Sequence, residues 1–301
     1  MNQHEQEQLK HCPDRVLPAA QQWEATQHAL REREGNSVPS VTFGDAIAHL
    51  ETIAGSDAPK REALVMFTFK RWGNGRTLSF YFLDGPEWAQ QKAFAYIRRW
   101  TAEANLRFVV TQDRLASDVR VTFEPGGSWS YLGTDNLGIP EDEQTMQLGW
   151  LLDSPDDEDE WRRVCVHESG HLLGFGHEQA HPQGDIDWNK PVVYSWYAGA
   201  PNFWSEAEVD AQVFRKYTGF PVTNFSAYDR LSIMHYAIPA QFVLDPTDAV
   251  GWNTSRSPTD KRYAALWYPK ARTQQVITQL LDDLARAAET QLTGERQART
   301  T

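Results

Sequence analysis

The segment His167-Glu168-Ser169-Gly170-His171-Leu172-Leu173-Gly174-Phe175-Gly176-His177 constrains this chain more than any other stretch. On a helix, His167 and His171 are four residues apart and project from one face. Glu168 sits about 100° round, beside a metal held there rather than on it. Gly174 can take a left-handed conformation at little cost, so the helix stops, the chain turns, and His177 swings back as a third ligand. Three neutral imidazoles leave a fourth position for water, whose pKa a zinc ion lowers towards neutrality. The expected cofactor is therefore one catalytic Zn2+. The expected reaction is attack of zinc-bound water on a peptide carbonyl, with Glu168 taking the proton and passing it to the departing amine. A closed structural zinc site is the competing reading. It would want a fourth protein ligand, usually cysteine, and none lies at ligand spacing.

A second segment, Tyr228-Asp229-Arg230-Leu231-Ser232-Ile233-Met234-His235-Tyr236, carries Met234 and Tyr236 in the order Ser-x-Met-x-Tyr. Together the two stretches resemble the metzincin metallopeptidases. Within that clan, Glu178 directly after His177 and the Ser-x-Met-His-Tyr order resemble the astacin family, whereas matrixins lack the tyrosine. Trp72-Gly73-Asn74-Gly75, Ser128 to Gly133, Gln147-Leu148-Gly149, Asn224-Phe225 and Thr259-Asp260 before Tyr268-Pro269 match astacin landmarks in order.

The resemblance implies an α+β, zincin-like metzincin fold: a twisted mixed β-sheet with an active-site helix and a less regular C-terminal subdomain. It implies a zinc metalloendopeptidase acting on protein or peptide substrates. Met234 would form an apolar floor beneath the zinc, and Tyr236 would ligate the metal at rest and then swing to the developing oxyanion. Ser128, Trp129, Ser130 and Tyr131 would form the edge strand that pairs with an extended substrate, where unpaired backbone groups supply affinity and pockets read side chains. His235 reads as a packing or solvent-facing residue. Glu178 would pair with a new N-terminal amine if the chain were cut near Lys60-Arg61, and is otherwise a loop-bracing carboxylate. The alternative from another class is a zinc-containing peptide-binding module on a metzincin scaffold with little turnover. The intact Glu168 argues against it, since binding alone has no need of a base.

The resemblance divides the chain into an N-terminal extension at 1–61, a catalytic domain at 62–270 and a helical tail at 271–301. A formal net charge of −12 argues against a nucleic-acid partner, because phosphate binding is driven largely by Lys and Arg. No apolar run approaches the length of a membrane span. The polar, acidic start, Met1 to Gln8, lacks the form of a secretory signal, so the expected location is cytoplasmic or outside by a non-classical route. The chain has two cysteines, Cys12 and Cys165. Cys165 falls about 200° round the helix from His167 and reads as a buried small apolar residue.

Helices are expected from Pro18 to Glu34, stopped by Gly35, around Asp45 to Ala54, after Pro86, at Ser205 to Tyr217, at Pro258 to Trp267 and over 272–291. Strands are expected at 64–70, 76–82, 107–111 and 119–123. The acidic run Asp153 to Glu160 reads mainly as capping and dipole compensation for the zinc helix, ahead of a basic-substrate preference or a calcium site. Two residues of the extension are candidates to block the zinc. Phe43-Gly44-Asp45 resembles the aspartate motif of astacin propeptides without its spacer residue, and Cys12 could offer a thiolate somewhat as matrixin prosegments do. An inhibitory extension predicts that deleting residues 1–61 raises peptidase activity.

Overall fold

The computed structural model describes residues 12–13, 15, 17–36, 66–200, 202–217, 223–224 and 228–271, with 275 and 278. Helix α1, Ala19–Glu32, follows Pro18 and ends where Arg33 turns extended. Its Ala25 and Ala29, one turn apart, are buried, and Ala25 packs with Leu17 against Ile139, so the extension meets the body through apolar side chains. Among the described residues of the strand expected at 64–70, Met66–Phe67 is strand (β1), and a 3-10 turn takes over at Thr68–Lys70. There the Lys70 carbonyl comes so close to Gly133 that a Cβ on Gly133 would stand 1.9 Å from its oxygen, which leaves no room for a continuing ladder.

Strand β2, Thr77–Phe82, alternates as its sequence suggests, with Leu78, Phe80 and Phe82 buried. Helix α2, Glu87–Ile97, is the crossover to β3, Arg107–Val110, which pairs parallel to β2 as such a connection requires. Strand β4, Val119–Thr122, lies on the other side of β2 and is buried along its whole length. Next come β5, Ser128–Ser130, and β6, Met146–Leu148. Among the described residues one sheet has the order β3-β2-β4-β6-β5, and β5 is its antiparallel edge.

Helix α3, Glu158–Leu172, packs against α2 and lies against β5 and β6. Asp157 caps it by accepting from the Glu160 N–H, and Glu158, Asp159 and Glu160 occupy its positive first turn. The same carboxylates meet Lys92, Arg162 and Arg163. Indoles hold the helix in register. Trp100 donates to the Val166 carbonyl at 2.9 Å and Trp72 to that of Leu172 at 2.7 Å, so buried aromatics bring their own polar anchor.

The C-terminal part is less regular. It contains α4, Lys190–Tyr197, α5, Glu206–Val209, strand β7, Thr223–Asn224, antiparallel to β1, and α6, Pro258–Trp267. The helix expected at Ser205 to Tyr217 divides: α5 passes into a single wide π turn at Asp210–Phe214. That turn lays Phe214 on Trp188 and Tyr194 while Val209 and Val213 stay in the apolar cluster of this subdomain. The elements expected at Asp45 to Ala54 and 272–291 lie outside the described residues, single positions of the latter aside. No helix among the described residues is long and apolar enough to cross a membrane.

Candidate active site

The C-terminal half of α3 delivers His167, Glu168 and His171, all buried. Gly174, at φ 95°, ends the helix in a Schellman turn: its N–H reaches the His171 carbonyl at 2.8 Å and the Phe175 N–H reaches that of Gly170 at 3.1 Å. The reversal returns His177, whose Nε2 lies 3.1 Å from that of His171. The His167 and His171 Nε2 atoms are 3.2 Å apart. Tetrahedral ligands about 2.0–2.1 Å from a zinc ion stand roughly 3.3 Å from one another, so the imidazoles are spaced for one ion.

The outer nitrogens of His167 and His171 are engaged as metal ligands require. His167 Nδ1 donates to the Ile233 carbonyl and His171 Nδ1 to that of Phe175, both at 2.8 Å, so each Nε2 lone pair faces inward. Burial first, then the neighbouring His171 and His177, holds the His167 imidazole well below its ordinary pKa and so in the neutral, ligating form.

A fourth donor completes the cluster from far away in sequence. Cys12 is buried, and its Sγ with the three histidine nitrogens forms a group whose ligand atoms all lie within 4.8 Å of one another. Its thiol donates to Glu168 Oε2 at 3.1 Å. Ligand spacing along the chain showed no such cysteine; the fold supplies one from the extension, 156 residues before the glutamate. Of the two blocking candidates, Cys12 is at the site and Asp45 lies outside the described residues.

Tyr236 is buried beside the cluster, its ring centroid 4.5 Å from that of His177, and its hydroxyl donates to the Cys12 carbonyl. Met234 is fully buried against Gly170 of α3: a Cβ on that glycine would meet Met234 Sδ at 2.3 Å. His235 is turned away, donating through Nδ1 to the Tyr236 carbonyl and accepting from the Tyr228 hydroxyl. Burial lowers its pKa to about 3. Cys165 is buried and its thiol is pushed well up by burial, as a packing residue should be. Glu178 is buried, and its Oε1 accepts the Asp229 N–H at 2.9 Å.

Two positioning residues were not evident as such in the sequence. Asp260, at the start of α6, accepts from Ser232 Oγ at 2.7 Å and from the Ile233 N–H at 2.8 Å, fixing the carbonyl that orients His167. Gly170 provides the space that Met234 fills. The capping signature Ser257-Pro258-Thr259-Asp260 was readable, but not the reach of its carboxylate to a distant loop.

Strand β5 borders the cluster. Ser128 and Ser130 point to one face, and Trp129 and Tyr131 to the other, where their rings pack edge to face at 5.5 Å. Trp129 lies in one apolar cluster with Cys12 and Tyr236. Arg15 forms a parallel bridge with Tyr131 and lays its guanidinium 4.2 Å over the Trp129 ring. Cys12 therefore stands at the histidine cluster and Arg15, three residues on, at the sheet edge.

The sequence profile of the Astacin peptidase family matches residues 65–246. The chain is similar to myroilysin in two solved structures, at 39% identity in both. One comparison covers 68% of this chain and 98% of that one with a TM-score of 0.65. The other covers 67% and 86% with a TM-score of 0.52. A third similarity is to High choriolytic enzyme 1, a hatching enzyme zinc-protease from the medaka fish Oryzias latipes, at 18% identity, 69% and 98% coverage and a TM-score of 0.45. No curated protein matches the chain.

Proposed function

The chain belongs to the astacin family of metallopeptidases, and from that premise we propose that it is a zinc endopeptidase whose full-length form is held latent by Cys12. The observation that supports this reading is the convergence of three inward-facing histidine nitrogens and one thiol within 4.8 Å. His167, His171 and His177 would hold the ion, with Cys12 in the position a substrate's water needs. A bound Zn2+ would supply Lewis acidity to the scissile carbonyl and lower the pKa of the attacking water.

The rest is done by side chains. Glu168 is the general base: the thiol 3.1 Å from its Oε2 marks where a water would meet the carboxylate, and the proton taken there passes to the leaving amine. Tyr236 donates to a carbonyl oxygen, that of Cys12 in this state and the substrate's developing oxyanion in turnover. Met234 backs the helix that carries two of the ligands.

The test compares the wild-type chain with Cys12→Ser and with Cys12→Ser/Glu168→Ala for metal content by mass spectrometry and for casein cleavage. A point variant is preferable to deleting residues 1–61, because α1 is joined to the body through Glu32 and Asn36. About one zinc per chain is expected in all three. Cleavage should rise in Cys12→Ser and fall by about 10²–10⁴ when Glu168 is also removed. Bound zinc with no cleavage by Cys12→Ser would refute the peptidase reading in favour of a peptide-binding scaffold.

A further inference from the structure

Cys12 and Arg15 are the chain's own residues seated at the histidine cluster and on the β5 edge, so their contacts show what this surface can hold. Trp129 is directed to the outer face of β5 because Ser128 and Ser130 take the inner one, where Ser128 Oγ accepts from the Gly149 N–H. One side of the indole is packed with Cys12 and Tyr236, next to the histidine cluster. Over the ring stands the Arg15 guanidinium, 4.2 Å from the centroid, while the bridge between Arg15 and Tyr131 fixes that residue's backbone on the sheet edge. Arg15 itself is exposed, so the position over the ring is open to solvent once the segment leaves. Indole is the aromatic that attracts a cation best, and a flat guanidinium covers its face while keeping its donors in water. The carboxylate of Glu143 acts on the adjacent Tyr131, and the whole chain's charge of −12 adds to that field, whereas Asp135 nearby is already paired with Lys70.

We propose that Trp129, with Tyr131 beside it, forms a subsite for a basic side chain, so that this peptidase prefers substrates carrying Arg or Lys at one fixed position within about four residues of the cleaved bond. This rests on the peptidase reading above and assigns it a substrate class. Arg15 of the extension fills the subsite in the latent chain, as a substrate's arginine fills it in turnover. An aliphatic side chain would cover the ring without the electrostatic gain, so the expected discrimination of Arg over Leu is about three- to tenfold, with Lys between them.

The test uses the full chain with Cys12→Ser and Arg15→Ala, which frees the cluster and empties the shelf. A library of denatured-protein peptides is digested and the cut positions are read by mass spectrometry, with Trp129→Leu and Trp129→Tyr added to the same background. Enrichment of Arg and Lys at a single position, lost in Trp129→Leu and kept in Trp129→Tyr, supports the subsite. Cleavage without such enrichment, or with enrichment that Trp129→Leu leaves intact, overturns it.

A second readout keeps the two readings separable. The hexapeptide of residues 12–17, and its version with leucine in place of Arg15, are titrated calorimetrically into the same background bearing Glu168→Gln. If nothing is cleaved, the peptidase reading fails, and the shelf is judged on binding alone. Weaker binding of the leucine peptide by about three- to tenfold supports the subsite, and equal binding overturns it.

Discussion

Replacing Gly170 by alanine tests how the apolar floor and the zinc helix are fitted together. The added Cβ would stand 2.3 Å from Met234 Sδ, 3.2 Å from its Cε and 3.3 Å from Trp100 Cζ2. Ordinary carbon contacts lie near 3.5–4.0 Å, so the methionine or the helix must withdraw by roughly 1 Å or more. Met234 ends in a flexible thioether, but it is fully buried and so is Trp100, which leaves it little space to enter. Overpacking of this kind costs about 1–3 kcal/mol, or roughly 2–10 °C in Tm for a chain of this size. His167 and His171 flank Gly170 on the same helix, so zinc affinity and activity should fall along with stability. Met234→Ala alone should cost about 2–5 kcal/mol through the cavity it leaves. Combined with Gly170→Ala, the new methyl enters that cavity, and the double variant should be about 1 kcal/mol or more stabler than the two single losses predict. Chemical denaturation of the metal-free proteins measures the cycle, and zinc titration follows the ligands. Additivity within about 0.5 kcal/mol, or a Gly170→Ala chain that melts like wild type, would refute the fitted-floor argument.

Tyr236→Phe in the Cys12→Ser background should lower kcat by about 10²–10³ with zinc content and KM little changed, because only a donor to the developing oxyanion is lost. An unchanged kcat removes Tyr236 from the reaction. Burial raises the Asp260 carboxyl to about 6, against the bonds from Ile233, Ser232 and Ser257 that favour its ionised form. The folded chain then keeps a proton that the unfolded chain releases as pH rises from about 4 to 6. This group's contribution is therefore full below about pH 4 and lost as pH passes through 6. Relative to Asp260→Asn, wild-type stability should decline by on the order of 3 kcal/mol between pH 4 and pH 7 in denaturant titrations. Parallel pH profiles would be incompatible with a raised Asp260 pKa.

How much of this was legible depends on the distance over which each residue acts. The helix that carries the histidines was readable because a four-residue repeat, a glycine and acidic caps are local features with local consequences, and β2 was readable beside the turn signal Trp72-Gly73-Asn74-Gly75. The alternation of Val119 to Phe123, in contrast, did not foretell that β4 is buried on both faces. Of the strand expected at 64–70, residues 68–70 leave the ladder, where the Lys70 carbonyl presses against Gly133, a contact that no pattern within residues 64–70 records. Ser205 to Tyr217 carries a helical pattern, but Phe214 finds Trp188 and Tyr194, and the turn widens to reach them. The roles of Gly170 and Asp260 lie in what they touch, a thioether and a loop far along the chain. The sequence offered Cys12 as one of two blocking candidates with nothing near it to decide between them. Only the packing of Leu17 and α1 brings the thiol to the histidines.

On the proposed function, latency and catalysis use the same atoms. Glu168 Oε2 accepts the Cys12 thiol, the Tyr236 hydroxyl is spent on the Cys12 carbonyl, and Trp129 carries Arg15. None of the three can serve a substrate until the segment moves. The extension is also anchored at points well away from the histidine cluster. Glu32 accepts the Gly73 N–H at 2.9 Å and binds Arg76, which reaches on to Asp118, and Asn36 ties the Ala29 and Arg71 carbonyls. These anchors involve neither the histidines nor the thiol, so loss of the Cys12 contact alone leaves α1 seated. A thiol that lets go while its helix stays bound returns at high effective concentration, because its rebinding is intramolecular. Lasting activity therefore requires either a change at Cys12 itself or a break in the chain between Cys12 and α1.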